Sequence, residues 1–414
     1  MTDRTLRVLV VASDVPYPPR WGAAMRNFHF IKHLARSHQV WLVAYGGPEA
    51  ASGMAALEAL GIRVRAVPPP RSVNKRLIQL SCVLSGRSYL SRGVETPRLQ
   101  RAVDELLGRE GVDVVLLEGA RLAIIDVRSG IPVVLDEHNI EYEVLKRTYL
   151  TERSPLRKAY AYLEYRNVRR EELATWHRVD RCVFTSERER ALATEQSGDT
   201  PSAVVPNGVD LDYFSPSLEA VDRDSLVFSG RMEYRPNTDA AVFFAREVLP
   251  LILRKRPRTV LTVVGAEPPR EVRKLAGANV VVTGAVADVR PYCRRAAVLL
   301  APIRFGGGTR LKVLEAMAMA KPLVSTAVGC EGINARSGEH LLVADSPIDM
   351  AAAVLRLLED RDLATAIARR GLALVKSSYG WPLLAGQLEA VLLEESKRAH
   401  RRDPAVTTAV PDGA

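Results

Sequence analysis

Cysteine is scarce in this chain. Cys82, Cys182, Cys293 and Cys330 are the only four in 414 residues, with no CxxC pair and no zinc-ligand spacing. They are too few for a disulfide scaffold and read as buried free thiols in a reducing cytoplasm. Long apolar runs are lacking too. A membrane-spanning helix needs ~20 mostly apolar residues. The stretch 77–86 is half that, and 377–388 is polar and holds Pro382. The N-terminus has an acid early and no long apolar segment before a small-residue cleavage site, so no secretory signal is expected. Charge of one sign is not segregated: 58 basic and 48 acidic residues interleave to a net +10, which argues against a dedicated nucleic-acid binder. There is no P-loop lysine motif, no HExxH and no Gly-x-Ser-x-Gly elbow. What remains is 47% hydrophobic and 26% charged, which is ordinary for a soluble globular protein and excludes a disordered chain or a rod. At this length two domains are expected.

Short β-branched apolar runs at 6–12, 40–45, 63–67, 112–117, 133–136, 181–185 and 203–206 read as strands buried on both faces, the mark of a parallel sheet. Helical spacing lies between them, at 27–36, 97–108 and 154–179. The alternation restarts at 225–228 and continues through strands at 259–264, 280–283, 298–301 and 323–325. Helices are expected at 240–255, 311–320, 347–358, 362–376 and 381–397. The fold class is α/β, with two doubly wound halves. The polar stretch 212–224, with Pro216 inside it, is the expected junction. The expected domains are thus 1–215 and 216–378, then a helix at 379–398 packing back on the first domain, then a disordered tail at 399–414.

The richest segment is 301–332. A strand ends at Pro302, then Gly306, Gly307 and Gly308 open a helix near Thr309. Glycine lets backbone approach a ligand closely, and a helix N-terminus offers unpaired N–H groups to an anion. Arg310 and Lys312 add positive charge in the first turn beside Leu311, where cations are unfavourable unless an anion binds. Glu315, one turn on, suits a ribose diol. A tight packing loop with solvated cations is the competing reading.

This segment resembles the donor-site motif of family 4 glycosyltransferases, which have the GT-B fold of two Rossmann-like domains facing across a cleft. Glu315 matches the second glutamate of the family pattern, and AMAMAKPLVST follows as expected; the first glutamate would fall on Gly307 and is missing. The GGGTRLK form resembles a subgroup associated with bacterial exopolysaccharide loci. Residues 205–214 (VPNGVDLDYF) resemble the interdomain signature, with a turn expected at Asn207-Gly208 and Asn207 as a hinge residue. Residues 229–237 (SGRMEYRPN) resemble the glycine-arginine turn, so Arg231 is implied on the donor diphosphate. The family's partner lysine falls on Pro236, with Arg235 as a substitute. Residues 16–27 resemble the N-terminal glycine loop, of which only Gly22 remains.

The resemblance implies a retaining, metal-free hexosyltransferase without a cofactor. Its donor would be a nucleotide diphosphate-sugar and its acceptor a glycan or a lipid-linked sugar. His138, in DEHNIEY after a buried strand, matches the family's cleft histidine and is the implied catalytic residue. Glu118, at another strand end, and Asn139 are candidates to meet the acceptor. Two DxD triplets, Asp210-Leu211-Asp212 and Asp360-Arg361-Asp362, lie in the junction and between helices and read as accidental, so no metal is expected. Residues 71–101 hold seven basic side chains (Arg71, Lys75, Arg76, Arg87, Arg92, Arg98, Arg101) against Glu95 alone, around the apolar run LIQLSCVL. Such a stretch could lie on an anionic membrane leaflet, making the protein peripheral, or be a core helix with solvated flanks. A GT-B sugar-nucleotide epimerase or hydrolase, and a non-catalytic nucleotide-sugar-binding subunit, stay open as alternatives.

Overall fold

The computed structural model describes residues 4–19, 21–70, 74–92, 97–127 and 130–402. It divides into two compact units. One is Met1–Pro206 together with Pro382–Ala414, and the other is Asn207–Trp381.

The first unit is built on seven strands: β1 (Arg7–Ala12), β2 (Gln39–Tyr45), β3 (Arg63–Val67), β4 (Val114–Glu118), β5 (Val133–Glu137), β6 (Arg181–Phe184) and β7 (Ser202–Val204). All pair in parallel, in the order 3-2-1-4-5-6-7. Helices cover both faces of such a sheet, which is why its strands are continuous hydrophobic runs. In β1, Val8 through Ala12 are fully buried, and Leu9 and Val11 join the core formed by Trp41, Leu117, Leu135, Trp176 and Phe184.

The second unit repeats the plan with β8 (Asp222–Ser229), β9 (Val260–Val264), β10 (Val280–Gly284), β11 (Ala296–Ala301), β12 (Leu323–Ser325) and β13 (Leu342–Val343), in the parallel order 10-9-8-11-12-13. Alternate residues of β8 feed opposite cores: Leu226 and Phe228 pack on one face, Val227 on the other. Both sheets reverse direction of growth beside their first strand, so each has a switch point where two strand ends diverge, β1 from β4 and β8 from β11. Open α/β sheets place ligands at such points, outside the carboxyl ends of the strands.

Several details differ from the sequence expectations. The first helix is Gly22–Leu34, starting five residues before the periodicity suggested; its N-cap is Trp21, with no side-chain cap bond to announce it. The helix expected at 240–255 begins at Arg235 and passes through a π-turn at Phe244–Val248 before resuming at Leu249–Leu253. Pro250 has no N–H to give the preceding turn, which accounts for the local widening. The polar stretch 212–224 is not where the units divide. The chain already enters the second unit at Asn207, because Val209 N donates to Tyr379 O (2.8 Å) and Phe214 is buried in that unit's core. The turn there is closed by Phe214 N donating to Asp210 O, not at Asn207-Gly208. The last helix, Trp381–Arg402, belongs to the first unit from Pro382 onward. Leu384, Leu388 and Leu392 are buried, and Arg181 bonds both Glu394 and Glu395 (3.1 and 2.7 Å). Residues 399–402, expected in the tail, are helical because His400 Nδ1 meets Ser396 O and Arg4 reaches the same ring (2.7 and 2.8 Å). The remainder of that tail lies outside the described residues.

Candidate active site

At the β1/β4 switch point of the first unit, a cleft is lined by Ser13, Asp14, Trp21, Asn27, Glu118, Arg121, His138 and Glu141, among others. Its floor is ionic. Arg26 is fully enclosed and grips Asp136 at both carboxylate oxygens (2.6 Å each), with a third bond to Pro206 O (3.0 Å). Such a fork gives two parallel charge-assisted bonds and fixes both partners. His138, two residues past Asp136, is therefore held at the strand end. Its Nε2 lies 2.9 Å from Glu118 Oε2 and 3.7 Å from Asp136 Oδ2. With its amide nitrogen turned inward, Asn27 approaches both His138 Nε2 (3.1 Å) and Glu118 Oε2 (2.8 Å).

Glu118 Oε1 is buried without a hydrogen-bond partner among the described residues. Burial, reinforced by the Asp136 charge, pushes the Glu118 carboxyl up to about 7, with His138 and Arg26 pulling the other way. A carboxyl poised there can accept or hold a proton near neutrality, and its unpaired oxygen is suited to a hydroxyl. Gly22 and Asn139 are not among the residues lining this cleft; Gly22 is the first residue of its helix, and Asn139 is half-buried in the bend after His138. Glu118, Asp136 and His138 bring three ligand atoms within 4.8 Å of one another. Both Asp136 oxygens already serve Arg26, however, so a cation would sit against a guanidinium. The first carboxylate of each DxD triplet is likewise engaged as a cap: Asp210 accepts from Asp212 N and Tyr213 N, and Asp360 from Leu363 N.

At the β8/β11 switch point of the second unit, two loops converge. β8 ends in Ser229-Gly230, where Gly230 has φ +151° and a Cβ would stand 2.8 Å from Asn237 Nδ2 and 2.9 Å from Lys312 Nζ, so only glycine fits. β11 leads to Gly306, Gly307 and Gly308, and the helix Leu311–Ala318 follows. Lys312, in its first turn, donates to Asn237 Oδ1 (2.8 Å) and lies 4.3 Å over the Phe228 ring. Glu315 sits one turn further on the same face. Each keeps a little surface open but is ringed by protein. Burial pushes Lys312 down to about 7 and Glu315 up to about 7, each partly offset by the other.

Arg231 is half-exposed and reaches Glu233 and Glu267 (3.1 and 3.2 Å). Arg310 is buried with its guanidinium folded back on the carbonyls of Gly307 and Gly308. As it stands it braces the glycine loop from within rather than presenting its charge outward. Thr309 and Leu311 are half-buried beside it, and Leu311 packs toward the core. Arg235, at the first position of its helix, is exposed; the cation brought to the Gly230 turn is Lys312 instead. Sequence reasoning missed Arg26, Asn27 and Asn237. The signal for the first two was a charged and an amide residue on the same helical stripe as Phe30, Ile31 and Leu34. For Asn237 no local signal exists, since its partner is 75 residues away.

Comparison with known proteins agrees with this layout. Residues 22–213 match a model described as Glycosyltransferase Family 4, and 223–360 match one described as Glycosyl transferases group 1. An uncharacterized 44.6 kDa protein of the Klebsiella pneumoniae cps region is 21% identical over 90% of this chain and 96% of its own length. A D-inositol 3-phosphate glycosyltransferase of Geodermatophilus obscurus is 31% identical over 46% of this chain and 48% of its own. The chain thus spans about half of that relative. Among solved structures, a sucrose-phosphate synthase from Thermosynechococcus elongatus superposes with a TM-score of 0.71 at 16% identity, covering 94% of this chain and 99% of that one. Anabaena HepE in complex with UDP and glucose gives 0.66 at 13% identity, over 94% and 99%.

Proposed function

The chain belongs to glycosyltransferase family 4 and is a glycosyltransferase of the GT-B fold; from that premise we propose that it moves a hexose from a nucleotide diphosphate-sugar to a glycan or lipid-linked acceptor, with retention of configuration, in cell-surface polysaccharide synthesis. The observation that carries this reading is the convergence, in one unit, of the Gly230 turn, the Gly306–Gly308 loop, Lys312 and Glu315. Together they offer backbone N–H groups, one enclosed cation and one carboxyl, a set suited to a diphosphate and a ribose.

In the proposed step the acceptor oxygen bonds to the sugar's anomeric carbon, the bond from that carbon to phosphate oxygen breaks, its electron pair leaves with the diphosphate, and the departing phosphate oxygen takes the acceptor's hydroxyl proton. Lys312 and the loop N–H groups offset that growing charge. Glu118 and His138 orient the acceptor hydroxyl or the sugar. No metal is needed for this, since the cations are supplied by the chain. The HepE structures were solved with UDP and with UDP-glucose, which supports a nucleotide-sugar donor. The cps-region relative supports a surface polysaccharide. A cytoplasmic protein, peripheral on the inner membrane face, fits this chemistry, and among the described residues no helix is long and apolar enough to cross a membrane.

The test is a panel of nucleotide-sugars, with nucleotide release measured with and without lipid and glycan acceptor extracts. Acceptor-dependent release is expected. Acceptor-independent turnover would favour an epimerase or hydrolase instead, and binding without turnover a non-catalytic subunit.

A further inference from the structure

The helix Lys75–Ser85 is turned the wrong way for a core element. Its buried side holds Cys82, and Gln79, half-buried, lies beside Tyr160 on the neighbouring helix Pro155–Trp176. Its outer side carries Leu77, Leu80 and Leu84, 60%, 57% and 80% exposed, with Val83 beside them. These leucines stand at i, i+3 and i+7, a single stripe along the helix. The leucines thus face water, while Cys82, with Ile78 and Gln79 half-buried beside it, faces protein. Tyr160 also marks where the neighbouring helix touches this one, and Leu156 and Leu163, four residues before it and three after, extend the apolar surface; Leu156 is 86% exposed.

The charge around this surface is predominantly positive; Glu152, beside Arg153, is half-buried and accepts from Arg153 N and Ser154 N. The Pro155–Trp176 helix contains three carboxylates, and each is turned inward to bond backbone N–H groups. Glu164 accepts from Tyr89, Glu171 from Ser88, and Glu172 from Glu141 and Tyr142. Its solvent side therefore keeps Arg157, Arg166 and Arg170, all exposed, with Arg153 just before the helix. The Lys75–Ser85 helix has no acid, and Arg76 stands exposed at its start. Of the basic residues noted in 71–101, Arg71 and the Lys75 side chain lie outside the described structure, and Arg98 and Arg101 sit on the separate helix Pro97–Arg109.

From the exposed leucine stripe and the arginine rim around it, we propose that this face of the first unit docks on an anionic lipid leaflet. The leucines of both helices enter the headgroup boundary and Arg76, Arg157 and Arg166 pair with lipid phosphates. A bilayer surface matches both halves of the observation at once: basic residues near an anionic surface attract, and apolar side chains beyond them insert. The inference stands independently of the transfer reaction, and none of these residues belongs to either candidate site.

The test is co-sedimentation of the full chain with phosphatidylglycerol vesicles and with phosphatidylcholine vesicles. Binding to the former, weakened but not abolished by high salt, is expected. Replacing Arg76, Arg157 and Arg166 together by Gln should weaken binding about fivefold per charge, from ~1 kcal/mol each. Leu80→Ser, Leu84→Ser and Leu156→Ser combined should remove the salt-resistant part. Because these leucines are more than half exposed, unchanged thermal unfolding and nucleoside diphosphate binding are expected in both variants. Three results would overturn the proposal: a protein left in the supernatant with anionic vesicles at low salt, equal binding to both lipids, or concentration-dependent self-association abolished by the serine changes, which would make the face a protein interface.

Discussion

Lys312 shows how a single residue links burial, charge and ligand. Its folded value of about 7 lies below the ordinary 10.5, chiefly through burial. Between those values the unfolded chain holds a proton that the folded chain has released, so stability rises with pH across that window, and the burial of Lys312 is most costly at pH 7 and below. An anion placed at Nζ favours the charged form. Binding of a nucleoside diphosphate above pH 7 should therefore take up a proton, and affinity should fall by up to about tenfold per pH unit. Calorimetry at pH 8 in two buffers of different ionisation enthalpy checks this: uptake approaching one proton is expected for the native chain and much less for Lys312→Met. Arg26 makes a different prediction. Its guanidinium is the counter-charge of a fully buried Asp136, and removing one partner of such a pair costs about 3–5 kcal/mol. Arg26→Met should lower Tm by roughly 6–20 °C at 2–4 °C per kcal/mol. A Tm within 2 °C of native would refute that account. Only part of this could be read locally. Lys312 was legible as a cation after a glycine run, but not its partner Asn237, and Arg26 meets Asp136 across 110 residues.

Among the elements, those with a strong period were legible and those without were not. The strands of both sheets could be read because parallel strands are apolar on both faces. β13, Leu342–Val343, has two residues and no pattern to read. The first helix was misplaced because neither Trp21 nor Gly22 is a cap signal, and Gly22 was read as part of a ligand loop when it is helical. The glycine loop at Gly306 could be located from sequence because only glycine tolerates its geometry. There φ is +118°, and a Cβ would meet Tyr234 Oη, Pro236 Cγ and an Arg310 guanidinium nitrogen at 3.2 Å each. Gly306→Ala should therefore deform the loop and weaken nucleotide binding at least several-fold while leaving Tm nearly unchanged, since the core beneath it is untouched. Isothermal titration with UDP and GDP, alongside a thermal melt, separates the two readouts. The last helix, Trp381–Arg402, makes the opposite prediction. Leu388 is fully buried, so Leu388→Ala should cost about 2–5 kcal/mol of stability and leave nucleotide affinity intact. An equal loss of both would mean that this helix bears on the nucleotide site.

The whole molecule is two parallel sheets of the same design, each with its chemistry gathered at the switch point next to its first strand. In the proposed reading, the division of labour follows from what each point holds. The second unit presents backbone N–H groups, a lysine and a carboxyl, a set for a nucleoside diphosphate. The first presents a neutral-range carboxyl and a histidine over an internal ion pair, a set for hydroxyls. Because Asp136 is already neutralised by Arg26, and Asp210 and Asp360 cap backbone N–H groups, transfer should survive EDTA with at least about half its rate. Complete loss restored by magnesium would contradict that. The claim on which the rest depends is that the second unit binds the donor's diphosphate through Lys312 and the loops beside it. Its most direct measurement is titration of the native chain and of Lys312→Ala with UDP and GDP at pH 7. The account predicts that one of the two nucleotides binds the native chain and that the variant binds it about ten- to a hundredfold more weakly, the contribution of one charge-assisted hydrogen bond at ~1.5–3 kcal/mol. Equal affinity in the two proteins, or no binding of either nucleotide to the native chain, would contradict it.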